Sequence, residues 1–246
     1  MDSLVTKLIW IWIALGAVVF FVLLFKYTAP YGKFYRGRRS ASLPSRVAWF
    51  LMELPSLVIP VLFIMVFKEN INFYILLVSG LWIAHYFYRS LVFPLMIKNK
   101  RNVSPAIVGL GILFNIINSF FNFYLLCSSN NEPVLVNKIP GVILFIVGFY
   151  IHFKSDKILI GLRGYREYGY KVPQGFLFRY VSCPNYFGEI LEWFGWFLIV
   201  SNVAGFSFFF WTVINLLPRA LSSHKWYKEN FENYPENRKA LIPFLI

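Results

Sequence analysis

The 246-residue chain is 58% apolar and 21% aromatic, and only 14% of its residues are charged. A soluble domain carries about 25% charged residues, so there is too little polar surface to coat a water-soluble particle, and a membrane protein remains. An excess of 24 Lys and Arg over 11 Asp and Glu raises nucleic acid as a partner, which the placement of those charges excludes.

Crossing the hydrocarbon core takes about 20 mostly apolar residues. The first such run, 6–26, begins near Leu8 and has no small-residue cleavage site after it, so it reads as a membrane anchor and not a secretory signal. Further runs follow at 46–67, 71–97, 104–127, 138–160, 185–201 and 203–221. Only Ser201 and Asn202 divide the last two, where one bent helix is the alternative. Seven spans put the termini on opposite sides. With the N-terminus outside, the inner segments 26–46, 98–102, 154–180 and 218–246 hold six, three, six and five Lys or Arg, 20 of the 24. The positive-inside rule asks for that asymmetry, and an even number of spans would destroy it.

The expected fold is all-α: a polytopic membrane protein with seven transmembrane helices and a single domain over 1–246. Its N-terminus lies outside (periplasm or lumen) and its C-terminus is cytoplasmic, in an inner membrane if bacterial or the endoplasmic reticulum if eukaryotic. No internal repeat is visible. The 154–184 loop and the tail from Arg219 form basic, aromatic-rich cytoplasmic pieces, suited to an anionic cytoplasmic ligand or to anionic lipid. Cys127 and Cys183 fall toward opposite sides of the bilayer and should not pair.

Ionisable and amide groups inside spans are costly and turn toward a cavity or a partner. Glu53 lies in AWFLMELPS, with Pro55 expected to bend or break its helix. His85, Tyr86 and Arg89 lie in HYFYRS, with His85 and Arg89 one turn apart. Asn115, Asn118 and Asn122 form one stripe, as do Asn185, Glu189 and Glu192, followed by Trp193. His152, Asp156 and Arg163 share a face. The asparagines suit hydrogen-bonded glue between helices as well as a cavity lining. Three carboxylates plus Asp156 suit a hydrated cavity open to the basic side. No G-x-G-x-x-G or P-loop is present, and three histidines with scattered cysteines offer no closed metal site.

AWFLMELPS, HYFYRS, the Ser-Asp of FKSDKIL, VPQGFLFRYVSCPNYFGEILEW and HKWYKENFENYPENRKALIPFLI together resemble the steroid 5α-reductases (3-oxo-5α-steroid 4-dehydrogenases) from about Tyr31 to Ile246. The resemblance implies an NADPH-dependent enzyme that saturates the 4,5-double bond of 3-oxo-Δ4 steroids, with NADPH reaching it from the cytoplasm and the steroid from the bilayer. It implies that Glu53 and Tyr86 hold the 3-keto oxygen. It implies dinucleotide contacts from Asp156, Arg163, Tyr170, Asn185, Glu189, Arg219 and Tyr227, with Lys98, Arg101, His152 and Lys171 at further cofactor positions. Trp49 would wall the steroid pocket, and Glu192 and Trp193 would lie near the nicotinamide end. No metal and no obligate protein partner is implied.

This chain has Lys98 and Lys171 where arginine is usual, His152 for an asparagine, Phe176 for a glycine, and Ser222 and Ser223 near a usual His-His pair. Lysine is a point charge where arginine is a bidentate fork, so phosphate recognition is expected to differ. The rival readings are a polyprenal or trans-2-enoyl thioester reductase, a membrane methyltransferase using S-adenosylmethionine, and a transporter with a polar midplane. A transporter should show repeated halves or paired broken helices, and neither is visible.

Overall fold

The computed structural model describes residues 2–25, 42–98, 102–128, 135–162 and 170–246. Nearly all of the regular structure is helical. The helices are α1 (Asp2–Phe25), α2 (Ser45–Val66), α3 (Phe73–Phe87), the short α4 (Phe93–Met96), α5 (Pro105–Ser128), α6 (Ile139–Gly161), α7 (Pro184–Val200) and α8 (Val203–Asn230). A π-helical turn, Tyr88–Val92, joins α3 to α4. Two-residue strands β1 (Leu43–Pro44) and β2 (Asn102–Val103) pair antiparallel at one end of the bundle.

The helix starts follow local chemistry. Proline opens α5 and α7, where its missing N–H is no loss. Asn72 caps α3 by accepting from Ile75 N at 2.9 Å, and Asn202 caps α8 by accepting from Gly205 N at 2.9 Å. Ser201 just before it adopts a left-handed conformation, φ 49°. The chain therefore breaks between α7 and α8; it does not bend through.

Among the described residues, five segments are long and apolar enough to cross a membrane: Ser3–Phe25, Ser45–Val66, Phe73–Met96, Pro105–Ser128 and Val203–Asn230. α6 and α7 are not among them. α7 has 17 residues, a rise of about 26 Å, and α6 carries Lys154, Asp156 and Lys157 near its end.

Three local expectations are corrected. α2 runs unbroken through Pro55 and Pro60. Pro60 leaves Ser56 O without its helical donor, and the Trp82 indole donates to that carbonyl at 2.9 Å. Residues 154–161 belong to α6 and not to a loop, because the Asp156 turn packs against α7. The segment from Arg219 continues α8 to Asn230 before the non-helical tail begins.

α6 and α7 make the closest pairing in the bundle. A Cβ on Gly148 would collide with Glu192 N, and one on Gly188 would meet His152 N at 2.5 Å. Seven residues along each helix, a Cβ on Gly195 would meet Phe145 N at 2.5 Å and one on Gly141 would meet Gly195 O at 2.8 Å. Four glycines thus press two backbones together, as in small-residue membrane interfaces. The same contact sets His152 of α6 against Glu192 of α7. Beyond it, Trp82, Phe123, Phe145, Trp193, Trp196 and Phe208 form a buried aromatic core.

Candidate active site

The polar groups gather toward the end of the bundle that carries β1, β2 and the 170–184 segment. Glu53 of α2 turns inward: Arg89 Nη2 lies 3.2 Å from Oε1, and Asn115 Nδ2 donates to Oε2 at 3.4 Å. Asn115 also donates to Met52 O at 2.7 Å. Its Oδ1 accepts from Ser56 Oγ at 2.9 Å and from Tyr86 OH at 3.5 Å. Glu53 and Tyr86, both buried, therefore meet at a single amide.

Arg89 rises from the π-helical turn, a distortion frequent at functional sites. The wider turn buries Tyr88, Arg89 and Ser90 in succession, and the Ser90 hydroxyl donates back to Tyr86 O at 2.6 Å. Besides Glu53, Arg89 reaches Asp156 Oδ2 at 3.6 Å through Nη1. Its guanidinium lies over the rings of Trp49 (4.5 Å) and Phe93 (4.8 Å). A planar, delocalised cation tolerates burial between carboxylates and aromatic faces better than an ammonium does.

A second line continues from Asp156. His152 Nε2 stands 3.1 Å from Asp156 Oδ2 and 3.9 Å from Glu189 Oε2, and His152 Nδ1 stands 3.6 Å from Glu192 Oε2. Glu192 Oε1 lies 2.7 Å from His85 Nδ1. Asn185 Nδ2 donates to Asp156 Oδ1 at 3.3 Å. Asp156 Oδ2, His152 Nδ1 and Glu192 Oε2 are buried without a hydrogen-bond partner. Such atoms are rare and mark strain or function.

His85, His152 and Glu192 bring ligand atoms within 4.8 Å of one another. Two ligands of a tetrahedral zinc ion stand about 3.3 Å apart, and the His85–Glu192 contact is already closed at 2.7 Å. His85 and Glu192 already bond each other, while His152 Nδ1 faces the other Glu192 oxygen across 3.6 Å.

Residues 101–246, more than half of the chain, match the family model of 3-oxo-5-alpha-steroid 4-dehydrogenase. The chain belongs to the 3-oxo-5-alpha-steroid 4-dehydrogenase family. Steroid 5-alpha-reductase DET2 of Gossypium hirsutum is 38% identical over 233 residues, 88% of each chain. 3-oxo-5-alpha-steroid 4-dehydrogenase 1 of Bos taurus and 3-oxo-5-alpha-steroid 4-dehydrogenase 2 of Macaca fascicularis are each 37% identical over 246 residues, 95% of this chain and 93% of the relative. The 3-oxo-5-alpha-steroid 4-dehydrogenase family is one of oxidoreductases, and this chain is an enzyme of that class.

Of the site residues that the sequence suggests for a 3-oxo-5-alpha-steroid 4-dehydrogenase, one network brings together Glu53, Tyr86, His152, Asp156, Asn185, Glu189 and Glu192. Trp49 covers Arg89, and the Trp193 ring lies 4.7 Å from that of His85. The other positions lie nearer the chain end. Arg219 Nε donates to Tyr186 OH at 2.9 Å, and Tyr170 meets the Trp226 ring at 5.0 Å. Tyr227 stacks on Tyr234 at 5.5 Å. Lys171 is exposed and Lys98 half-buried. Arg101 and Arg163 lie outside the described residues.

Sequence reasoning marked His85 and Arg89 as polar groups inside a span and Asn115 as glue or cavity lining, but it placed none of them among the site residues and passed over Ser56, although all four are central to the network. The available signal was an arginine deep in an otherwise apolar span, for which the only internal counter-charges are carboxylates.

Proposed function

We propose that the protein reduces the 4,5-double bond of 3-oxo-Δ4 steroids to 5α-dihydrosteroids, with NADPH as reductant. The observation that carries this reading is the convergence of Glu53 and Tyr86 on Asn115 in a buried site. It is supported by the family membership and by relatives named for this reaction.

A bound NADPH supplies a hydride. The donor set fits the group: carboxamide and ribose hydroxyls are donors, and the carboxylates of Asp156 and the partly exposed Glu189 are acceptors. Asp156, Asn185, Glu189, Tyr170, Arg219 and Tyr227 would hold it, with Lys98, Arg101, Arg163 and Lys171 near its phosphates and His152 beside Asp156.

Reduction at C5 moves negative charge onto the 3-keto oxygen, and a donor aimed at that oxygen stabilises the transition state by about 2.7–4 kcal/mol. The Tyr86 phenol is such a donor, and its present bond to Asn115 is long at 3.5 Å, so turning it to a ketone sacrifices little. Glu53 is now an acceptor for Arg89 and Asn115. It donates to the ketone only when it carries a proton and one of those partners yields. Trp49 beside Arg89 walls the steroid pocket, and Glu192 and Trp193 border the nicotinamide end.

Seven spans, with the N-terminus outside and the C-terminus cytoplasmic, belong to the same proposal. They let the steroid enter from lipid while NADPH arrives from the cytoplasm. The test is direct: incubate purified protein in detergent with NADPH and testosterone or progesterone, and look for the 5α-dihydro product by mass spectrometry. Absence of that product, with NADPH bound, removes the assignment.

A further inference from the structure

Saturating an enone consumes one proton for each hydride, and a buried line of titratable groups ends beside Tyr86. We propose that Glu189, His152, Glu192 and His85 conduct that proton from solvent to the substrate α-carbon; the proposal rests on the enone-reductase reading above. Glu189 is the outer end, 21% exposed, with Oε2 3.9 Å from His152 Nε2. The opposite edge of the same imidazole, Nδ1, faces Glu192 Oε2 at 3.6 Å. The other oxygen of that carboxyl, Oε1, lies 2.7 Å from His85 Nδ1. The His85 ring stands edge-on to Tyr86, with centroids 4.9 Å apart.

Each inner member meets its two neighbours through different atoms, one to receive a proton and one to pass it on. A network built only for rigidity closes all its contacts. Here the two buried atoms that face each other across the His152–Glu192 gap have no other hydrogen-bond partner. A shift of under about 1 Å brings them to bonding distance. Asp156 Oδ2, 3.1 Å from His152 Nε2, holds the ring in register, and Arg89 holds Asp156.

The step balances. Hydride from a dihydronicotinamide adds to the β-carbon with its two electrons, the carbon–carbon π bond breaks, and the ketone oxygen becomes an enolate. His85 gives its Nε2 proton to the α-carbon, forming the second C–H bond and restoring the carbonyl. In the same movement His85 Nδ1 takes a proton from Glu192, Glu192 takes one from His152 Nδ1, and Glu189 with water refills His152 Nε2; transfer of each proton to the other edge of its group then restores the starting tautomers before the next turnover. One solvent proton is consumed for each double bond.

Glu192→Gln keeps the volume and hydrogen-bonding capacity but cannot carry a proton; Glu192→Asp is shorter but can. The expected result for Glu192→Gln is a fall in kcat of about a hundredfold and an enlarged solvent deuterium isotope effect. NADPH affinity measured by fluorescence, and the melting temperature, should stay near wild type. Glu192→Asp should retain more kcat than Glu192→Gln. His152→Asn, which bonds but cannot pass a proton between two ring edges, should act in the same direction and serves if Glu192→Gln fails to fold. Gln outperforming Asp, or unchanged turnover and isotope effect in both Glu192→Gln and His152→Asn, overturns the relay alone. A wild-type protein that makes no 5α-dihydro product removes the reduction itself, and the relay with it.

Discussion

Two polar regions lie within a few helical turns of each other and are built on opposite principles. In the asparagine stripe of α5, Asn118 donates to Phe114 O at 2.8 Å and accepts from Trp12 Nε1 at 3.3 Å. Asn122 donates to Asn118 O at 2.9 Å and to Ala204 O at 3.4 Å, and accepts from Trp196 Nε1 at 2.8 Å. Both amides have partners on both sides, and both tie α5 to neighbouring helices. Around α6 and α7, by contrast, Glu53, Asp156, Glu189 and Glu192 surround one guanidinium and two imidazoles, and three buried atoms keep no hydrogen-bond partner. Saturated polar groups hold helices together; unsaturated ones wait for a ligand or a proton. Asn115 belongs to both regions, since it bonds Met52 and Ser56 and also faces Glu53 and Tyr86.

The contrast breaks most visibly at Arg89. Arg89→Met leaves Glu53 and Asp156 buried without their shared cation, and removing one partner of a buried ion pair costs about 3–5 kcal/mol. Thermal unfolding in detergent should show a large drop; an unchanged transition would mean that the carboxyls do not need Arg89. Tyr86→Phe acts on activity instead. It should cut turnover by about 10²–10³ while NADPH binding persists, and near-wild-type turnover would remove Tyr86 from the chemistry. Asn122→Ala is the opposite case: about 1–3 kcal/mol of stability lost from unpaired partners, with turnover per folded molecule unchanged. Lost turnover at full stability would move the stripe from glue to site.

The smallest effect belongs to the C-terminal clasp. There Ser182 Oγ lies 2.6 Å from both His224 Nδ1 and Tyr234 OH. Burial holds the Tyr234 phenol above its ordinary range. Its contribution to stability is therefore full below a pH of about 10 and is lost as pH climbs through the raised value. Tyr234→Phe should abolish that alkaline loss, at a cost of about 1 kcal/mol near neutrality, read from melting curves across pH.

Much of this was legible in the sequence. Spacing of four and then three found the Asn185–Glu189–Glu192 face, and the runs that begin at 185 and 203 match the starts of α7 and α8 to within a residue. The break at Ser201 turned on a left-handed residue that is not glycine, which leaves a weak mark in sequence. The roles of His85 and Arg89 were not legible for a geometric reason. A 3.6-residue period puts them on one face, but the π-helical turn at Tyr88 sends His85 to Glu192 and Arg89 to Glu53 and Asp156. Nor does spacing within a helix reveal which carboxylate on a distant helix answers a buried cation. α2 passing intact through two prolines was equally hidden, because part of the compensation comes from Trp82 of another helix.

The glycine contact between α6 and α7 has a mechanical meaning. Where main chains touch there is no cushion of side chains to compress, so these two rods form a stiff spine. Any breathing of the bundle must occur along the flanks, away from that spine. Amide hydrogen exchange should be slowest along that spine and fastest along those flanks.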